Sequence, residues 1–341
     1  MIKIEIDQKK RQKIDSLHEE YIKKIVVPRL EEKIEKGKDV EFLKKFFGNT
    51  EKVRNNKIIE ICLSDDLEKI KDEFDKKFAE CYGFEFICPK TRNQKEIYAD
   101  ADRIKNILDK VLNYTVFNTG SLLKNGKKWN RHKLITSLGG KVCPYCNRQY
   151  ITSYENDIGD EKTTADVDHY YPKANYPILQ MNIYNMIPSC NVCNSKTKLD
   201  NNKRHLYPYK DPSNSLIFEI PLDIVDDYVK ASVTKIKIDT RNNEKAKVSN
   251  EVFKLGKIYQ AHLDIATEIK RNTIEYLNIV NRENSDLNCE EYYKKTMGIK
   301  IPWSETIYNR WFGFMSKDLL TEPLLKLKQD IFNQMMKTQK E

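Results

Sequence analysis

No apolar run in this 341-residue chain approaches the roughly 18–20 residues that cross a bilayer. The opening residues, Met1-Ile-Lys-Ile-Glu-Ile-Asp7, also lack the apolar stretch of a signal peptide. The expectation is a cytosolic (cytoplasmic) protein without membrane contact, in a reducing compartment where cysteine patterns favour metal over disulfide. No internal repeat is evident and no long linker, so boundaries placed near 120 and 215 are soft. A further absence is local. From Lys110 to Tyr154 there is no acid, against eight bases: Lys110, Lys124, Lys127, Lys128, Arg131, Lys133, Lys141 and Arg148.

Cysteine is where the chain is rich. Of its eight, Cys62, Cys81, Cys88 and Cys289 are scattered and read as ordinary thiols. The other four form two pairs, Cys143-Pro-Tyr-Cys146 and Cys190-Asn-Val-Cys193. A two-residue gap lets both sulfurs of a pair face one ion, so the two pairs can close a tetrahedral zinc shell. The 43 residues between them exceed the span of a compact zinc ribbon. The intervening segment must then fold and return the chain to its start, with zinc stapling the ends. Buried free thiols or a redox Cys-x-x-Cys remain the alternatives.

The whole-chain balance of 60 basic against 51 acidic residues, net +9, says little, because a Lys-, Asn- and Ile-rich composition also follows from nucleotide bias. Distribution says more. Just beyond Cys193 come Lys196, Lys198, Lys203 and Arg204, opposed only by Asp200. With the acid-free stretch before it, the cysteine-bounded segment has basic fields at both ends, which suits a polyanion. A solvated charged face is the other reading.

The flanks read as helical. Ile14, Leu17, Tyr21 and Ile25, then Leu30 and Ile34, recur at helical spacing, with Pro28 expected to kink or divide that helix. Ser64-Asp65-Asp66 marks a helix start leading to Leu67, Ile70, Phe74 and Phe78. One helix is expected from about 94 to 113, on the stripe Ile97, Ala101, Ile104, Leu108 and Leu112. A short one runs from His132 to Leu138, ended by Gly139-Gly140. Later, Leu216 to Ile220 and Ala231 to Ile238 read as strands, about 249 to 280 as helical, and Glu322 to Met336 as a last helix that packs on the body or docks a partner.

The chemistry concentrates in Ala165-Asp-Val-Asp-His-Tyr-Tyr-Pro-Lys173. Thr164 to Tyr170 is β-prone, and Pro172 ends the strand, leaving Asp168 and His169 at its tip. Neighbouring strand residues point to opposite faces, so the two converge only at a strand end or bend. Asn185 to Ser189 reads as the return strand and Asn191 to Lys198 as a helix, with Asn194 and Lys198 on one face. Asp168 and Asn194 then both offer oxygen to one hard ion.

These residues resemble HNH endonucleases of the ββα-metal group that carry a four-Cys zinc. The resemblance implies a ββα-metal nuclease core with a zinc site, placed at 121–215; with the helical reading of 1–120 and of 216–341, where short strands precede the helices, the expected fold class is α+β. The resemblance assigns divalent-metal ligation to Asp168 and Asn194, general-base duty to His169 and a positioning role to Asn185. Mg²⁺ or Mn²⁺ is the implied catalytic metal, and Asn194 stands where many members have His. Phosphodiester hydrolysis of DNA is the implied activity, with RNA left open, and Lys173, Lys196 and Lys198 are the candidate phosphate contacts. A single metal site cuts one strand, so double-strand cutting requires an oligomer or two encounters. His205 is a further candidate, read more readily as a loop histidine. The alternative function is a zinc-stabilised nucleic-acid-binding module without catalysis. Cys-Pro-Tyr-Cys, Asp-His-Tyr-Tyr-Pro-Lys and Ile-Pro-Ser-Cys-Asn-Val-Cys-Asn-Ser resemble more narrowly the nuclease subunit of Septu anti-phage systems, which implies an ATPase partner.

Overall fold

Several helices begin where a side chain takes up an unpaired amide of the first turn. Asp66 caps Leu67–Tyr82, its carboxylate accepting from the Lys69 amide at 3.1 Å. Asn130 caps Arg131–Leu138 by accepting from the Lys133 amide at 2.9 Å, and Gly139, at φ 78°, closes that helix as a left-handed cap. The computed structural model describes residues 1–338 apart from 38, 125, 127, 156, 158–160, 223–231 and 286–302. Lys127, Ala231 and Cys289 therefore lie outside the described residues.

Pro28 does not end the first helix. Gln8–Tyr21 runs into a π-helical turn, Ile22–Val26, and on through Val27–Lys36. Val27 donates to Ile22 O, and the wider turn falls just where proline cannot donate, so the chain stays helical. The helix expected from 94 to 113 is divided instead, into Arg92–Ile97 and Ala99–Val111, at Tyr98 (φ −108°, ψ 48°). The break rotates Ile97 off the apolar stripe to 63% exposure, while Ala101, Ile104 and Leu108 are buried. The last helix, Leu325–Thr338, buries Leu327, Ile331 and Met335 as its spacing predicts.

Helix dominates, and strand content among the described residues is four two-stranded antiparallel sheets. The α+β expectation is thus too rich in β. Ile217–Glu219 pairs with Lys237–Asp239, shorter than the two strands expected there. Buried side chains from the N-terminal part (Phe74, Leu108), the middle (Tyr145, Met186) and the C-terminal part (Tyr259, Ile331) join one apolar cluster.

At its centre Asp166–His169 pairs with Met186–Ser189, with Asp168 opposite Ile187 and His169 opposite Met186. Val192–Lys198 follows as a seven-residue π-helical stretch. The expected strand, strand, helix order is present, with a wider helical turn than anticipated. Asn185 sits at the base of the connection between the strands and is fully buried.

Candidate functional site

The two cysteine pairs meet. The four Sγ atoms of Cys143, Cys146, Cys190 and Cys193 lie within 4.8 Å of one another, and all four residues are buried. Among the described residues they are the one group of three or more His, Cys, Asp or Glu whose donors converge. Backbone amides of Arg148 and Cys193 point at the sulfurs of Cys146 and Cys190, each at 3.4 Å. Asn147 takes φ 50° to turn the chain after the first pair. Burial pushes the Cys143 thiol well above its ordinary range, while hydrogen bonding to Cys143 holds the Cys146 and Cys190 thiols below theirs. Four sulfurs at this spacing, with amides turned toward them, fit a structural zinc.

This knuckle also gathers distant chain. Ile2 donates to Pro144 O at 2.7 Å, Tyr259 donates its hydroxyl to Cys146 O at 2.5 Å, and the Asn147 amide donates to Leu319 O at 2.7 Å. Asn147 Oδ1 accepts from the Lys326 amide at 2.9 Å. The cysteine knuckle is thereby tied to segments near residues 2, 259, 319 and 326.

The second centre is a cleft of about 310 Å³ at the end of the central hairpin, bordered by Asp166, Asp168, His169 and Asn194, with Arg131 and Lys173. Asp166 and Asp168, two apart on one strand, share a face; His169 takes the other. The His169 ring is 6% exposed and holds Gln180 O through Nε2 at 2.9 Å. Nε2 then carries the proton, and Nδ1 is the basic nitrogen. The Tyr114 ring packs edge-on against it at 4.7 Å. Burial lowers the His169 pKa to about 3, so the imidazole is neutral near pH 7. Arg131 Nε is buried without a hydrogen-bond partner. Lys173 is exposed, with its ammonium 5.1 Å from the Tyr114 ring centre.

Asn185 clasps the connecting loop. Its Oδ1 accepts from the Tyr171 amide at 2.8 Å, and its Nδ2 donates to Tyr171 O at 3.1 Å and Leu179 O at 3.0 Å. Because Gln180, which holds His169, lies in that loop, the clasp reaches the ring at one remove.

Asp168 departs from its expected surroundings. It is 2% exposed, and both oxygens are engaged: Lys198 Nζ donates to Oδ1 at 2.8 Å and Tyr145 OH to Oδ2 at 2.6 Å. Asn194 turns its amide not to Asp168 but to Asp166, donating to Oδ2 at 3.2 Å. Asn191 donates to the same oxygen at 3.1 Å. The expected oxygen pair for a divalent ion, Asp168 with Asn194, is therefore not assembled, and this donor set does not fit Mg²⁺ or Mn²⁺. Lys198, expected at the surface to meet phosphate, is 1% exposed and ion-paired. Facing inward from its helical turn, it is withdrawn from solvent by Asp168 and by His169 O, to which it donates at 2.6 Å. Lys196 is exposed as expected.

His205 is a buried core residue, ringed by Tyr145, Tyr170 and Phe253, with its pKa lowered to about 3 by burial. Sequence reasoning passed over Asp166, Tyr145 and Gln180. Asp166 carries a signal, since acids two apart on a strand share a face. Tyr145 carries none, because its partner is 23 residues away across the zinc knuckle.

Comparison with known proteins finds similarity to Septu protein PtuB of Bacillus thuringiensis, 29% identical over 118 residues, covering 33% of this chain and 43% of that protein. Protein ea31 of Escherichia phage lambda is 32% identical over 77 residues, covering 21% of this chain and 22% of that protein. The chain thus spans less than half the length of the curated relatives it matches. No family model matches it. No solved structure matches it. Among the described residues, no helix is long and apolar enough to cross a membrane.

Proposed function

We propose that the chain is a zinc-stapled nucleic-acid-binding protein of a multiprotein defence system, and that its cleft hydrolyses phosphodiester bonds. Binding is supported by the four-sulfur knuckle, by the basic stretches on either side of it, and by Arg131 and Lys173 at the cleft. A polyanion meeting these cations releases counterions, so affinity should fall steeply with salt. The similarity to a Septu protein supports the defence setting and, with it, an ATPase partner.

Hydrolysis is the finer reading, and one observation carries it. His169 is held by its Nε2 against Gln180 O, which leaves Nδ1 as acceptor at a cleft that also holds Arg131 and Lys173. In that arrangement His169 takes a proton from a water whose oxygen bonds to phosphorus as the bond to the departing sugar oxygen breaks, and the two cations oppose the charge on the phosphate and on that leaving oxygen until solvent protonates it. Asn185 acts through the loop, keeping the carbonyl of Gln180 where it orients the ring. Zinc at the knuckle holds Tyr145, and through it Asp168, in place.

The test uses the purified zinc-loaded chain, with supercoiled plasmid and single-stranded RNA as substrates, with and without Mg²⁺ or Mn²⁺ and with EDTA. The expected result is cutting that disappears in His169→Ala while salt-sensitive binding and one zinc per chain persist. Binding that persists without any turnover, alone and with an ATPase partner added, would leave the binding module as the whole function. Cutting unchanged in His169→Ala would remove that residue from the chemistry.

A further inference from the structure

The mismatch at Asp168 points to a second reading of the same cleft, resting on the hydrolytic proposal above. A lysine ammonium is a compact point charge with three donors. Lys198 places two of them on the candidate site itself, at Asp168 Oδ1 (2.8 Å) and His169 O (2.6 Å), with its side chain fully buried. Tyr145 OH occupies the other Asp168 oxygen at 2.6 Å. The carboxylate is thus satisfied by one cation and one neutral donor.

We propose that the Lys198 ammonium is the resident cation of Asp168, filling the place the sequence pattern reserves for a divalent ion, and that Lys198 is a positioning residue for His169. Its two contacts span consecutive residues of one strand end. They tie the last residue of the helical stretch to the backbone of the residue that carries the ring. Asp168 is then an anchor for Lys198 rather than a metal ligand, and the side of the cleft open to an added cation is that of Asp166.

Lysine ¹⁵Nζ spectra of the full, zinc-loaded chain decide the point without any activity. A buried, ion-paired ammonium exchanges its protons slowly, so Lys198 should appear as a protected signal near neutral pH. Its absence in Lys198→Arg identifies it. Lys326, buried and paired with Asp330 at 2.8 Å, serves as an internal standard remote from the cleft. The expected result is a Lys198 signal that persists under millimolar Mg²⁺ and loses protection in Asp168→Asn. A signal that collapses into the exposed-lysine band on adding Mg²⁺, while that of Lys326 stays, overturns the proposal, since the metal would then displace the ammonium.

Where the chain cuts nucleic acid, Lys198→Met should lower kcat at least tenfold with KM within twofold, and Lys198→Arg should restore most of it. Equal activity in Lys198→Met and wild type would overturn the positioning role. If the wild-type chain does not cut, the hydrolytic reading fails and the spectra still settle who neutralises Asp168.

Discussion

At the scale of single residues, the pair Lys198–Asp168 is the most consequential contact, because both groups are withdrawn from water. Burial raises the Asp168 pKa, and the neighbouring Lys198 ammonium and Tyr145 hydroxyl pull it back. Removing one charge from such a pair leaves the other uncompensated, at a cost of about 3–5 kcal/mol. Lys198→Met should lower the unfolding free energy by that amount in urea titrations. Adding Asp168→Asn should recover more than half, because the amide oxygen still accepts from Tyr145. Equal losses in the single and double variants would show that the two sites are not coupled. The lysine's burial could not be read from its codon neighbours. Periodicity places Asn194 and Lys198 on one helix face but does not say what that face meets.

At the scale of elements, the short stretch Val192–Lys198 is decisive. Its π-helical hydrogen bonding turns Asn194 toward Asp166 and Lys198 toward Asp168, and it closes with Leu199 at φ 52°, ψ −130°, its amide donating to Asn194 O at 3.0 Å. A branched side chain in that region is strained by roughly 1–3 kcal/mol. Leu199 is 59% exposed and has little burial to lose. Leu199→Gly should therefore raise stability by about 1 kcal/mol after glycine's added chain entropy is counted. A lower melting temperature would show that Leu199 makes contacts that outweigh its strain. The element itself was legible from Asn191 to Lys198, but its π character was not. Likewise the stripe from Ala101 to Leu108 was readable, while the break at Tyr98 was not, because a single residue's ψ leaves no trace in hydrophobic spacing.

At the scale of the whole molecule, acid response follows from three buried histidines. Burial lowers His18 to about 4 and both His169 and His205 to about 3. Each folded value lies below the unfolded value near 6.5, so the unfolded chain binds more protons between those limits and stability rises with pH. Their contribution is complete above about pH 6.5 and is lost as pH falls toward about 3. Near pH 5 the slope is roughly three protons, or ~4 kcal/mol per pH unit. Asp168 and Asp330, both raised by burial, act against it at the acidic end. Urea midpoints of the zinc-loaded chain between about pH 7.5 and 5 should fall steeply. A flat profile would mean that these imidazoles are not buried in solution.

Local chemistry was enough to pick out the four cysteines that converge, the helix start at Asp66 and the hairpin carrying Asp168 and His169. Two-residue cysteine gaps, capping side chains and strand alternation act over a few residues, and spacing records them. Which carboxylate faces the cleft, which lysine is buried and what holds the imidazole were decided only in three dimensions. Asp168 depends on Tyr145 from the zinc knuckle and on Lys198 from the far side of the hairpin, at separations of 23 and 30 residues. Those partners meet because the apolar cluster and the four sulfurs bring the segments together, and no short-range pattern encodes a contact that long-range packing creates.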